Sequence, residues 1–436
     1  TGPARGHSLM KTRADSRGER VLGTMQNCAN GYTPWGTYLT CEENWSDIFT
    51  NPGGNISALE KRYGIGKSED SYRWSEVDER FNSEKNPNEP NRFGWVVEID
   101  PFDPKSTPRK HTALGRFKHE GAKVTIAPDG RLAVYMGDDQ RFEYIYKFVS
   151  KNRYQPGNRA ANMRLLEEGT LYVARFNENG SGDWLALVHG QNGLTAANGF
   201  ADQGEVLVKT RMAADLVGAT KMDRPEWITA DPFTAGSIYC TLTNNSQRGE
   251  AGKPAADAAN PRANNLFGHI IHWQEADGDG TKLSFKWDIL VLAGNKQAAK
   301  SEHKGNINGD DFGSPDGLAF DSRGVLWIQT DVSTSTLNMK EYAGMGNNQM
   351  VATVLGSNEY RRFLTGPNGS EITGIAFTPD NKTMFINIQH PGEPSKGDSD
   401  PARPTAVSSW PDGAAAGRPR AATVVITKND GGVIGS

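Results

Sequence analysis

One pattern recurs four times in this chain and constrains its fold more than any other feature. It consists of an acid, a short apolar strand, a turn, a second apolar strand and a polar cluster. The copies span residues 119–139, 224–245, 314–331 and 370–390. Their turns are Asp129-Gly130, Phe233-Thr234-Ala235-Gly236, Ser322-Arg323-Gly324 and Asp380-Asn381. Asp-Gly and related pairs between alternating apolar runs signal β-hairpins, because tight hairpin turns need residues that tolerate positive φ. A fifth copy starts at the turn Thr33-Pro34-Trp35-Gly36 and runs through Thr37-Tyr38-Leu39-Thr40 to Cys41-Glu42-Glu43-Asn44.

Strand-like runs at residues 94–100, 142–148, 267–273 and 283–292 would add outer strands to these hairpins. Four-stranded units repeated around an axis make a β-propeller. Six units in 436 residues would take about 73 residues each, against roughly 40–50 in familiar propeller repeats. Long inter-blade insertions with short helices are therefore expected, at residues 47–91, 155–204 and 245–265. A final strand at 423–428 is expected to close the ring by pairing with N-terminal chain. The fold class is thus all-β, a single propeller domain over residues 1–436. A sandwich or two smaller β domains is the alternative.

Composition suits this reading: 36% hydrophobic residues, 49 Gly and 23 Pro favour short strands and turns over long helices. Net charge is −4, from 48 basic and 52 acidic residues, which argues against nucleic acid as a partner. No apolar run approaches the roughly 18 residues of a membrane helix, and no basic amphipathic helix suggests a membrane surface. Three cysteines (Cys28, Cys41 and Cys240) are too few for a disulfide framework, and a Cys28–Cys41 bridge would leave an odd thiol. The chain begins at Thr1 with no signal peptide, as a processed protein would.

Aligning the repeats places Glu120, Glu226, Asp316 and Glu371 at equivalent points, each opening a strand. In a propeller such acids converge at one end of the channel. The returning strands end at the same face with Cys41-Glu42-Glu43, Asp138-Asp139, Asn244-Asn245, Asp331 and Gln389-His390. One acid alone reads as a strand-end cap. Four in register would repel strongly unless cations neutralise them, and hard cations take oxygen ligands. A thiolate at Cys41 suits iron or zinc rather than calcium or magnesium, although a buried cysteine also serves as a small apolar residue. Glu42 and Glu43 face opposite ways on a regular strand unless a strand end or bulge relaxes the alternation. Cys240, between Tyr239 and Thr241, reads as core. Arg248 is expected above the channel mouth, where its planar fork suits a phosphate, or else on the surface as a solvated arginine. Arg141 and His390 are weaker candidates of that kind.

Other motifs fail. Residues 64–68 end like a phosphate loop, but Lys61 stands where its first glycine belongs. Asp277-Gly278-Asp279-Gly280 lacks the glycine a calcium loop needs and reads as a hairpin turn. There is no Gly-x-Ser-x-Gly elbow.

With these residues in view, the sequence resembles the PhoX-type alkaline phosphatases. The resemblance is carried by GYTPWGTYLTCEENW (31–45), FKHEGA (117–122), GDDQRFEYIYKF (137–148), RPEWI (224–228), CTLTNNSQRG (240–249), SPDGLAFD (314–321) and EITGIAFTPD (371–380). It implies a six-bladed propeller exported by the twin-arginine route to the periplasm or beyond. It also implies a monomer that recovers phosphate from small phosphate monoesters. The implied cofactor is Fe3+ and Ca2+ with a bridging oxo group, and a metal-bound oxo or hydroxide attacks phosphorus. By the same resemblance Cys41 is an iron ligand and the neighbouring Glu42 and Glu43 complete the cluster, to which the register of the repeats adds Glu120, Asp139, Glu226, Asp316 and Glu371 as expected metal ligands. Glu250 is a further ligand, Arg248 a phosphate clamp, and Asn244 and His390 contact substrate. Such enzymes carry an extra N-terminal stretch, so one blade is expected to be incomplete here. The rival readings are a calcium-dependent lactonase or esterase propeller, in which no thiolate ligand is expected, and a propeller used only as a binding scaffold.

Overall fold

The computed structural model describes every residue except 68–71, 358, 398, 414 and 416. Ser68, the last residue of the failed phosphate-loop motif, lies outside the described set. The chain divides into two compact units, Thr1–Pro225 with Glu275–Lys286, and Glu226–Gln274 with Trp287–Ser436.

The first unit opens with an antiparallel meander of β1 (Asn27–Tyr32), β2 (Tyr38–Glu42), β3 (Val96–Ile99) and β4 (Arg109–His111). Thr33 and Thr37 hold the first turn through their hydroxyls, 2.7 Å apart. Gly36 supplies the φ of 84° that the turn requires. The expected insertion at 47–91 follows β2. It holds 3-10 turns and α1 (Ala58–Arg62), started by a Ser57–Glu60 capping box. Trp45, Phe49, Tyr63, Phe81 and Phe93 fill an aromatic core beneath it.

The second meander is β5 (Lys123–Ile126), β6 (Arg131–Gly137) and β7 (Ile145–Arg153), then α2 (Arg159–Asn162), β8 (Gly169–Phe176) and β9 (Ser181–Ala186). Residues 155–204 therefore carry two strands as well as short helices. β8 pairs with β7, and β9 with β8, so this segment extends the sheet. α3 (Gln203–Val208) and α4 (Thr210–Val217) complete the unit. Val134, Met136, Phe148, Leu171, Val206 and Ala213 share one buried core with Leu39 and Cys41. The helices are thus held by packing, which decides the fate of segments this short.

The strands that follow, wholly or largely in the second unit, are β10 (Pro225–Ala230), β11 (Ser237–Leu242), β12 (His269–Glu275) and β13 (Ser284–Leu292). Next come β14 (Asn308–Gly309), β15 (Pro315–Phe320), β16 (Val325–Thr330), β17 (Gln349–Val354) and β18 (Glu359–Thr365), and finally β19 (Glu371–Phe377), β20 (Thr383–Gln389) and β21 (Ala422–Thr427). Each expected hairpin is present: β5–β6, β10–β11, β15–β16 and β19–β20. The strand expected to close the ring behaves differently. Among the described residues β21 pairs antiparallel with β20, from Thr383↔Thr427 to Ile388↔Ala422. Residues 245–265 form a loop, as their Ala, Asn, Gly and Pro content leads one to expect.

Candidate metal centre

In the first unit the site is built at the ends of inner strands. The β1–β2 register shifts between Asn27↔Glu42 and Asn30↔Thr40, a bulge that re-aims Cys28. Its Sγ donates to Glu120 Oε1 at 3.3 Å. Glu43, one residue past β2, joins them: one ligand atom from each of Cys28, Glu43 and Glu120 lies within 4.8 Å of the others. Glu43 is 5% and Glu120 2% exposed. Burial, then the Asp139 and Glu120 carboxylates, push Glu43 well above the usual carboxylate range. Asn44 donates to Glu43 Oε2, and Lys118 Nζ lies 3.1 Å from Asn44 Oδ1.

The returning strand β6 delivers Asp138 and Asp139. Asp139 accepts Arg224 Nε and Nη2, both at 2.8 Å. Arg224 has φ 57° immediately before Pro225, a conformation unfavourable for a pre-proline residue and a mark of imposed geometry. Asp138 is fully buried and bound to Arg211.

In the second unit Glu226 and Asp316 occupy the second positions of β10 and β15. A carboxylate oxygen of one lies within 4.8 Å of one from the other. Asp316 follows Ser314-Pro315, and Ser314 has φ 50°, the device seen at Arg224-Pro225. Glu371 is 7% exposed and opens β19. His390 Nε2 lies 3.6 Å from its carboxylate and His390 Nδ1 lies 3.3 Å from Glu393. Against burial, these acids raise His390 to about 9. Asn244 Nδ2 reaches Ser314 Oγ at 3.4 Å.

An exposed thiol beside buried carboxylates, grouped in this way, matches a metal-dependent hydrolase, and comparison with known proteins decides which. The family model described as alkaline phosphatase PhoX matches residues 1–392. The chain belongs to the PhoX alkaline phosphatase family. It is a β-propeller and a metal-dependent phosphoric monoester hydrolase. That assignment selects the phosphatase over the lactonase and binding-scaffold readings. Pseudomonas fluorescens PhoX, solved in complex with vanadate, a transition state analogue, is 50% identical with a TM-score of 0.93. The match covers 100% of this chain and 75% of that one. Kuenenia stuttgartiensis hydrazine synthase (14% identity, 85% of this chain and 84% of that one, TM-score 0.31) is too dissimilar to support any argument. The same is true of Pseudomonas aeruginosa periplasmic gluconolactonase PpgL (8%, 67% and 70%, TM-score 0.27). No curated protein matches the chain.

The geometry of this PhoX-family phosphatase differs from the sequence-based expectation at several residues. Cys41 lies in the hydrophobic core, fully buried. Burial, with Glu120 and Glu42 nearby, pushes its thiol well up. The thiol brought to Glu43 and Glu120 is that of Cys28. None of the three cysteines is in a disulfide, so no Cys28–Cys41 bridge forms. Glu42 faces away from Glu43. Its Oε1 accepts Lys110 Nζ at 2.6 Å and Thr24 Oγ1 at 2.9 Å, and its Oε2 accepts the Gly94 and Trp95 amides at 3.0 and 3.1 Å. Arg248 was expected above a channel mouth. Instead it is 1% exposed and braces its own loop, with Nη1 at 2.9 Å from the Ala255 carbonyl. Glu250 is exposed on that loop, and Cys240 is core as expected. Sequence reasoning missed Cys28, Lys118 and Arg224. Cys28 had a signal: it is the second residue of β1, as Glu226 is of β10 and Asp316 of β15.

Proposed function

We propose that this phosphatase holds Fe3+ and Ca2+ with Cys28, Glu43, Glu120, Asp139, Glu226, Asp316 and Glu371, and releases phosphate from small monoesters. The observation that carries the reading is the grouping of Cys28 Sγ with the Glu43 and Glu120 carboxylates. A thiolate suits iron and carboxylate oxygens suit calcium, so a mixed donor set fits a mixed cofactor. Buried acids this close raise one another's pKa, as at Glu43, and multivalent cations would relieve that cost. Cys41, Glu42 and Glu250 have no place in this reading: one is core, one has its carboxylate taken up by five donors, and one stands on an exposed loop.

Bound there, the ions would acidify water and stabilise charge on the phosphoryl oxygens. The chain's own residues would do the rest. Arg224, 23% exposed at its side chain and oriented by Asp139, clamps a phosphate oxygen, the role first expected of Arg248. Lys118 adds a second positive charge beside Glu43. Asn244 and His390 contact the substrate. A carboxylate kept protonated in the metal-free site gives up its proton on loading.

The same reading takes residues 1–436 as one propeller domain of six blades, monomeric, and exported by the twin-arginine route. Among the described residues no helix is long and apolar enough to cross a membrane. The test is metal analysis of purified Cys28→Ser and Glu120→Gln beside p-nitrophenyl phosphate turnover. Both variants should lose iron and at least ten-fold in kcat. Wild-type metal content with full turnover in both would sink the proposal.

A further inference from the structure

Behind Glu120 and Asp139 lies a buried ionic cluster that the reaction itself does not use. Arg211, the second residue of α4, has no exposed side-chain surface. Its Nε donates to Asp138 Oδ2 at 2.8 Å, its Nη2 to Asp138 Oδ1, and its Nη1 to Gln140 Oε1 at 2.8 Å. Glu143 Oε2 is 3.5 Å from Nε. Glu143 in turn accepts Arg62 Nη2 at 2.8 Å. Arg62 Nε reaches Asp215 at 2.8 Å, and Tyr144 Oη donates to Asp215 at 2.6 Å.

Such a cluster is an expensive way to fill a core, since well-packed apolar residues serve stability as well or better. Its value lies in geometry. Asp138 Oδ1 accepts the Lys118 amide at 3.2 Å, and the Asp139 amide donates to the Lys118 carbonyl at 3.1 Å. The Glu120 amide donates to the Gly137 carbonyl at 3.2 Å, and His119 bridges to Asp138. The planar Arg211 fork therefore fixes a carboxylate that clips the end of β6 to the segment carrying Glu120.

We propose that Arg211 is a positioning residue of the metal centre: from α4 it locks Asp138, and through Asp138 it sets the carboxylates of Glu120 and Asp139. The α3–α4 insertion is on this view part of the site's framework. The inference rests on Glu120 being a ligand.

The test compares Arg211→Met, Arg211→Lys, Asp138→Asn and Glu120→Gln with wild type. Three quantities are read: the EDTA concentration that strips half the metal, kcat and KM with p-nitrophenyl phosphate, and the thermal midpoint. Arg211→Met and Asp138→Asn should give up metal at EDTA concentrations at least ten-fold lower. Their kcat should fall at least ten-fold while KM stays within two- to three-fold. Arg211→Lys, which keeps the charge without the fork, should recover part of the thermal midpoint and little of the metal retention. Should Arg211→Met fail to fold, Asp138→Asn, nearly unchanged in size, carries the same test. If Glu120→Gln loses metal while the Arg211 and Asp138 variants hold it as wild type does, this inference alone fails. If Glu120→Gln holds its metal, the ligand reading fails and the inference falls with it.

Discussion

A carboxylate that already accepts four donors has no lone pair left for a cation. Adjacent glutamates divide on that basis here: Glu42 is filled by Lys110, Thr24 and three amides, while Glu43 meets Asp139, Glu120 and Cys28. Strand alternation puts them on opposite faces. The same sorting applies to the cysteines. Cys28→Ser should cut iron content and lower turnover at least ten-fold with little change in stability. Cys41→Ser places a hydroxyl in an apolar core and should cost about 1–3 kcal/mol while leaving metal in place. Urea melts and metal analysis on the two variants separate them, and the opposite pattern would return the thiolate role to Cys41.

Glu98 shows what a buried carboxylate does when protein donors, rather than metals, satisfy it. It takes Trp35 Nε1 at 2.8 Å and Thr37 Oγ1 at 2.5 Å on one oxygen, and Arg109 Nη2 at 2.6 Å and His111 Nε2 at 2.8 Å on the other. Burial pushes its pKa up, but the hydrogen bonds from His111 and Thr37 and the charge on Arg109 hold it down to about 2. A depressed carboxylate stabilises the fold above its unfolded pKa of roughly 4.3, and that stability is lost as pH falls towards 2. Glu98→Gln should therefore unfold at lower urea at pH 7, and the gap to wild type should narrow steadily below pH ~4.3. A gap that is constant with pH would show that the ionised form contributes nothing.

At the scale of elements, what sequence revealed was local. Hairpins show through period-2 alternation and turn chemistry: Gly130 at φ 86° and Asn381 at φ 54° occupy turn positions that need such residues. Acids at strand starts were visible because the repeat supplied a register. Partnerships were not, since Lys110 and Glu42 stand 68 residues apart and Arg224 and Asp139 stand 85 apart. β8 and β9 were hidden in a segment that opens with Pro156-Gly157 and a short helix. The fifth copy was aligned from its turn at Thr33, which cut off β1 and Cys28 with it.

One approach between elements is specific enough to test. A Cβ on Gly31 of β1 would sit 1.9 Å from the Ala122 carbonyl oxygen, just before β5. The backbone of Gly121 and Ala122 runs on from Glu120. Gly31→Ala must therefore move β1 and its Cys28 away from Glu120. The expected cost is about 1–3 kcal/mol, together with weaker metal retention. A variant with wild-type melting and metal content would show that the contact yields freely.

Over the whole molecule, charge is nearly balanced, with 48 basic and 52 acidic residues, so repulsion is a local matter and the metals act where acids are buried. Each compact unit has its own apolar core, which predicts that the chain stays folded without metal, at a reduced stability. A ligand that binds only the folded state stabilises by RT ln(1 + [L]/Kd), about 4 kcal/mol at a thousand-fold excess over Kd. In a chain of 436 residues that should move the thermal midpoint by roughly 4–5 °C. Chelation followed by desalting should abolish turnover and lower the midpoint by that amount. Raising ionic strength should recover neither, because salt screens buried carboxylates little. Adding back iron with calcium should restore both, and calcium alone should restore stability more than turnover if the thiolate holds iron. Scanning calorimetry run beside p-nitrophenyl phosphate turnover reads all of these, and a stripped protein that melts and turns over as before would leave the buried acids with no metal to hold.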